Sequence, residues 1–163
     1  IPSTVTDEVT ALRTKSVDAI WIFYAWAGVK TELEGLETDY FAFADLDSVF
    51  DFYTPVIIAN NTFLAEEPET ARAFLDAVSR GYEFAIEHPQ EAGEILCKAA
   101  PELDPDLVKA SQEYLADKYQ ADAPQWGYID QERWDAYYAW LNEKGLTETP
   151  IEAGTGCSNE YLP

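Results

Sequence analysis

Two short stretches carry side chains suited to holding a small molecule. Tyr24-Ala25-Trp26-Ala27-Gly28 follows directly on the apolar run Ala19-Ile20-Trp21-Ile22-Phe23, and Asp51-Phe52-Tyr53-Thr54 leads into Pro55-Val56-Ile57-Ile58-Ala59. If the runs are strands, both clusters lie at strand ends, and open α/β sheets bind ligands beyond the carboxyl ends of their strands. An aromatic ring at such a place stacks on a flat heterocycle, while tyrosine hydroxyls and backbone N–H groups read its edge. The candidate ligand-binding residues are therefore Tyr24, Trp26, Asp51 and Tyr53. The competing reading of the same aromatics is that they close the core. Trp126 and the group Trp134, Tyr137, Tyr138 and Trp140 read as core rather than as a ligand box.

Other chemistry finds little support. Phosphate-binding glycine loops, the nucleophile-elbow serine and the H-E-x-x-H zinc motif are all absent. His88, the one histidine, precedes Pro89 at a helix junction, and a single histidine does not build a typical zinc site. Asp45, Asp47 and Asp51 form an acidic turn without the glycine and closing glutamate of a calcium loop. Among 31 acidic residues, chance carboxylate pairs carry no glycosidase signal. The reading is a protein with no catalytic residue, no metal and no cofactor. Cys97 and Cys157 are sixty positions apart and fit either two separate thiols or a disulfide, so they leave the redox compartment open.

The composition narrows the partners. With 47% hydrophobic and 14% aromatic residues the chain is built to fold. Its net charge of −21 repels nucleic acid and anionic lipid, which excludes both as partners and suits neutral or cationic small ligands. No apolar run reaches the roughly 18 residues that a membrane span needs. The 163 residues include no Met, and no charged-then-apolar leader precedes Ile1, so the chain is expected to be a fragment of a longer polypeptide.

The elements that must position the two aromatic clusters change in kind along the chain. Val9, Ala11 and Leu12 predict a short helix ending near Lys15, followed by a buried strand over residues 19–23. Residues 26–33 read as helix, with Gly35 as its stop. Residues 40–43 and 54–59 are further strand candidates, separated by an acidic turn and closed by Asn60-Asn61. Four helices then follow. The first begins at Pro68 and buries a stripe from Ala71 to Ile86, and His88-Pro89 ends it and opens the second. Asp104-Pro105-Asp106 starts the third, and Asp130 caps the fourth, which stops at Gly145. The last eighteen residues read as an extended tail. Strands alternating with helices predict an α/β fold with parallel pairing. Three strands are few for such a sheet, which again points to a piece of something larger.

Several segments together resemble one family. They are Lys15-Ser16-Val17-Asp18-Ala19-Ile20-Trp21-Ile22-Phe23-Tyr24, Phe52-Tyr53-Thr54-Pro55-Val56-Ile57-Ile58-Ala59-Asn60, Phe74-Leu75-Asp76-Ala77, Gly81-Tyr82-Glu83-Phe84-Ala85-Ile86, and His88-Pro89-Gln90-Glu91-Ala92. Ser111-Gln112-Glu113-Tyr114-Leu115, Trp126-Gly127-Tyr128, Glu132-Arg133-Trp134 and Asn159-Glu160-Tyr161-Leu162-Pro163 continue the pattern to the C-terminus. In this order the chain resembles the C-terminal portion of the ABC-importer binding proteins for thiamine pyrimidine precursors, which are relatives of the fungal thiamine-pyrimidine synthases. The resemblance implies the C-terminal part of a type II periplasmic-binding-protein fold. Residues 1–38 would end the second lobe, residues 39–60 would cross the hinge, and residues 61–163 would form the helical part of the first lobe with its tail. It also implies a non-enzymatic, extracytoplasmic and lipid-anchored component that holds a small heterocycle in an inter-lobe cleft and docks on an ABC permease. Trp26 or Tyr53 would stack on the pyrimidine and a carboxylate would meet its exocyclic amine. Ala27 stands where such a binder is expected to carry an acid. A synthase-like enzyme and a helical interaction domain are the alternatives, and a strand-swapped dimer is expected if the chain is a fragment.

Overall fold

The computed structural model describes residues 7–163. It divides into two compact units, one formed by the residues up to Asp39 with Gly81–Ala121, the other by Tyr40–Arg80 with Asp122–Pro163.

In the first unit, α1 (Glu8–Arg13) begins where the sequence predicts and ends through Lys15, whose φ of 56° is left-handed. A π-helical turn (Tyr24–Gly28) runs into α2 (Val29–Leu33), and Gly35 closes that segment at φ 62°. Helices α6 (Pro89–Ala99) and α7 (Pro105–Ala116) form the most extensive helix pair. Each has Pro in its first turn, and the Asp104 carboxylate accepts from Asp106 N at 2.9 Å and from Leu107 N at 3.4 Å. The two helices meet at Gly93, where a Cβ would make ordinary contacts of 3.6 Å with Lys109 Cα and Val108 Cγ1. The interior is made of small and medium side chains: Val9, Ala11, Ala27, Val29, Leu107 and Val108 are buried.

Asp7 ties α1 to α2. Its Oδ1 caps Val9 N at 3.1 Å, while Oδ2 accepts from Thr10 Oγ1 at 2.8 Å and from Lys30 Nζ at 2.9 Å. The Lys30 hydrogen bond, followed by that from Thr10, holds the Asp7 carboxyl down at about 2, against an ordinary 3.8. A depressed carboxyl contributes stability above its unfolded value and loses it as pH falls through its folded value. That contribution is therefore expected to be complete above pH 3.8 and to disappear as pH falls through about 2. Because the pair is about a third exposed, its size is about 1 kcal/mol. Asp7→Ala also removes the cap, so a total loss of about 1–2 kcal/mol is expected by urea denaturation at neutral pH, shrinking toward the cap's share in acid.

In the second unit, α3 (Phe43–Leu46) and a 3₁₀ turn (Ser48–Phe50) precede α4 (Asn61–Glu66), and α8 (Gln131–Glu143) supplies the largest aromatic face. The sequence reads residues 45–51 only as a turn and Asn60-Asn61 only as an exit. Asp47 instead caps the 3₁₀ turn, and Asn60 caps α4, accepting from Thr62 N at 2.8 Å. α5 (Pro68–Glu87) contributes residues 68–80 to this unit and 81–87 to the other. The tail is irregular, as expected, but firmly held. Asn142 pairs with both backbone groups of Ile151, donating at 2.7 Å and accepting at 3.0 Å. Asn159 does the same to Ile129 at 2.8 and 2.9 Å. Each side-chain amide thus supplies the donor and acceptor that a neighbouring strand would supply. Arg72 donates to the Glu160 carbonyl and lies 5.2 Å from the Tyr161 ring centroid.

The expected α/β architecture is not what the chain forms. Among the described residues there is no strand, and every regular element is helical. The three candidate strands, residues 19–23, 40–43 and 54–59, carry the right residue types but no ladder. Residues 19–23 and 54–59 are irregular throughout, and Phe43 opens α3. β-rich composition makes a run compatible with a sheet. A sheet exists only where neighbouring backbones satisfy each other's N–H and C=O groups. Here no such ladder forms, and side chains of the runs lie exposed: Trp21 is 62% exposed and Ile58 is 88% exposed. A type II periplasmic-binding-protein fold is accordingly not what these residues show.

Candidate ligand-binding site

The four sequence candidates fall into two pairs, Tyr24 with Trp26 in the first unit and Asp51 with Tyr53 in the second.

The first pair sits on the π-helical turn. Phe23 enters it extended, at φ −89° and ψ 116°, and its carbonyl accepts from both Trp26 N and Ala27 N at 3.1 Å. Such wide turns recur at functional sites because the extra residue re-aims side chains. Ala27 and Gly28 are buried and anchor the turn, leaving the Trp26 indole 38% exposed. The Tyr24 ring folds back over Gly28, packs 5.2 Å from the Tyr114 ring centroid, and donates its hydroxyl to the Glu32 carboxylate. Thr31 Oγ1 donates to the Gly28 carbonyl at 2.6 Å. Ala27 is 4% exposed, so an acid at this position would bury an unpaired carboxylate.

Gly28 is required here for space rather than for backbone freedom, because its φ of −63° suits any residue. A Cβ there would lie 2.5 Å from Tyr24 Cδ2 and 2.7 Å from Cγ. Gly28→Ala is therefore expected to expel the Tyr24 ring from Tyr114 at a cost of about 2 kcal/mol, measurable as a lowered melting temperature and altered tyrosine near-UV dichroism.

Of the second pair, Tyr53 lines a cavity of about 150 Å³ together with Phe52, Thr54, Trp134, Tyr137 and Tyr138, and Asp51 is not among the lining residues. Residues 52–54 form one wall and α8 the other. Helical spacing puts Trp134, Tyr137 and Tyr138 on one face of α8. Phe52 stacks on Tyr137 with centroids 4.2 Å apart and planes at 18°. Trp134 Nε1 donates to the Thr155 carbonyl at 2.9 Å, which fixes its indole. Tyr53 accepts from Asp130 N at 2.9 Å. Arg133 lies with its guanidinium carbon 4.4 Å from the Tyr53 centroid, donates Nε to the Asp51 carbonyl at 2.6 Å, and pairs with the Asp51 carboxylate. Asp51 is thus tied to Arg133 rather than left free for a ligand.

The sequence reading assigned Trp134, Tyr137 and Tyr138 to core, yet none is fully buried and all three line the cavity. Their helical stripe was legible, but an apolar stripe looks the same whether it meets a filled core or a partly open one. Among the described residues no group of three or more His, Cys, Asp or Glu is arranged to hold a metal ion. Cys97 and Cys157 are free, and burial pushes the Cys157 thiol up, away from reactivity. No helix among the described residues is long and apolar enough to cross a membrane.

The sequence profile of the NMT1/THI5-like family matches residues 1–92, more than half of the chain, and the chain belongs to that family. It is 29% identical over 124 residues to the formylaminopyrimidine-binding protein of Halalkalibacterium halodurans, covering 74% of this chain and 37% of that protein. It is 24% identical over 140 residues to the riboflavin-binding protein RibY of Chloroflexus aurantiacus, covering 80% and 38%. It is also 36% identical over 116 residues to the 4-amino-5-hydroxymethyl-2-methylpyrimidine phosphate synthase of Candida albicans, covering 68% and 31%. The chain therefore spans about a third of the length of these curated relatives.

Proposed function

We propose that this chain is part of the extracytoplasmic solute-binding component of an ABC importer, and that the protein binds a thiamine-precursor pyrimidine or a similar small heterocycle without transforming it. The observation that carries this reading is the match to two binding proteins named for flat heterocycles, in a chain with three aromatics among its four predicted contact residues. Trp26, presented on its π-helical turn, or Tyr53, on the cavity wall, is the proposed stacking residue. Tyr24 and Asp51 support these two. Of the carboxylates beside these aromatics, Glu32 receives the Tyr24 hydroxyl and Asp51 the Arg133 guanidinium, so Glu32 is the better placed to receive an exocyclic amine alongside a tyrosine. The importer's permease is the proposed macromolecular partner.

The test is thermal melting of the intact protein against thiamine, its pyrimidine precursors, riboflavin and aliphatic sulfonates. A ligand present at 100 times its Kd stabilises by about 2.7 kcal/mol, a shift of several degrees. A shift with a pyrimidine precursor supports the reading. A shift with riboflavin alone retains solute binding and changes the ligand, and a flat panel overturns it. The synthase relative supports a second reading, in which the protein consumes rather than carries its pyrimidine. Recovery of unchanged ligand after incubation separates binding from turnover.

A further inference from the structure

Arg133 occupies an unfavourable position for a cation. It lies in the first turn of α8, where the helix dipole favours negative charge, and Asp130 Oδ1 caps that turn by accepting from Arg133 N at 2.8 Å. A guanidinium placed there needs compensation from outside the helix, and it has three sources. The Asp51 carboxylate pairs with it, the Asp51 carbonyl receives Nε at 2.6 Å, and the Tyr53 ring receives its flat face at 4.4 Å. The Tyr53 hydroxyl meanwhile accepts from Asp130 N at 2.9 Å, which closes a ring of contacts from α8 to residues 51–53 and back. Arg133 is not itself among the residues lining the cavity, whereas Phe52, Tyr53 and Thr54 are.

We propose that Arg133 is a positioning residue for ligand binding, setting the plane of the Tyr53 ring without touching the ligand. The inference rests on the reading above that Tyr53 contacts the ligand. A planar fork is what the task requires. It reaches a carbonyl and a carboxylate of one residue while covering the ring of another, which a lysine ammonium does not do. With one face of Tyr53 covered by Arg133, the ring's opposite face is left for a heterocycle.

The test is calorimetric titration of the intact protein and of R133K, R133Q, Y53A and the double variant R133Q/Y53A with formylaminopyrimidine, well below their melting temperatures. There, a change in global stability leaves the affinity of the folded protein untouched. Y53A is expected to bind at least about tenfold more weakly, R133Q about three- to tenfold more weakly, and R133K in between wild type and R133Q. The double variant should be no weaker than Y53A alone, because Arg133 acts only through the ring. R133Q and R133K should also change the tyrosine near-UV dichroism. If the R133Q loss persists undiminished in the Y53A background, or R133Q binds as wild type while Y53A does not, the positioning role is overturned and the Tyr53 contact stands. If Y53A binds as wild type, the contact itself fails and the inference fails with it. Should R133Q not fold, R133K carries the same comparison, since it keeps the charge beside Asp51 and lacks the fork.

Discussion

In the intact protein, whichever of Trp26 and Tyr53 stacks on the ligand is expected, when truncated to Ala, to weaken pyrimidine binding by about ten- to hundredfold, the largest effect of any single side chain at its site. The size follows from what an aromatic contact supplies. Stacking contributes about 0.5–1.5 kcal/mol beyond the area it buries, and the lost apolar contact adds a similar amount. The Tyr53 ring and the Trp26 backbone are already held, which keeps the entropic cost of binding low. Trp26 rides on a turn whose next two residues are buried, and Tyr53 is fixed at its hydroxyl and on one face. Titration calorimetry with the conservative partners Trp26→Phe and Tyr53→Phe discriminates the mechanisms. Phenylalanine retains a stacking face, so most of the affinity should return. If the Phe variants bind as poorly as the Ala variants, edge hydrogen bonding rather than stacking carries the contact. If all four variants bind as wild type, the candidate site lies elsewhere.

Val108→Asp is expected to destabilise the first unit severely. Val108 is 1% exposed and sits where α7 crosses Gly93 of α6, with its Cγ1 3.6 Å from the site a Gly93 Cβ would take. A carboxylate there loses hydration, and no cation is buried with it, so the expected cost is about 4 kcal/mol or more. Set against a typical stability of about 5–15 kcal/mol, that is a large share of the total. Circular dichroism at 222 nm during a urea titration reads the loss. Val108→Ile, which adds one methylene to a packed site, should cost no more than about 1–3 kcal/mol and leave the transition cooperative. An Asp variant as stable as wild type would mean that α6 and α7 separate without cost, contrary to the packing.

The helices and their ends were largely legible in the sequence because their signals are local. Asp104-Pro105 and Asp130 cap their helices with their own side chains, and Gly35 and Gly145 close theirs at φ 62° and 66°. Each device acts within a turn of the chain and needs nothing distant. Residues 19–23 and 54–59 show the opposite case. Their β-branched and aromatic residues state a preference, but a strand is a relation between two backbones, and among the described residues neither run has a partner.

The site divides in the same way. Sequence by itself determined which residues were chemically able to hold a flat ligand: Tyr24, Trp26, Asp51 and Tyr53 are named by type and by position beside apolar runs. It also determined the absence of a reactive motif. Only the tertiary structure decided what those side chains are free to do. It engaged Asp51 with Arg133, 82 positions away, and laid that guanidinium on Tyr53. It buried Ala27 and brought Trp134 and Tyr138 from α8 to face residues 52–54. Pairings over such distances leave no periodic trace, because nothing in the order of residues records which surfaces meet once the chain has closed on itself.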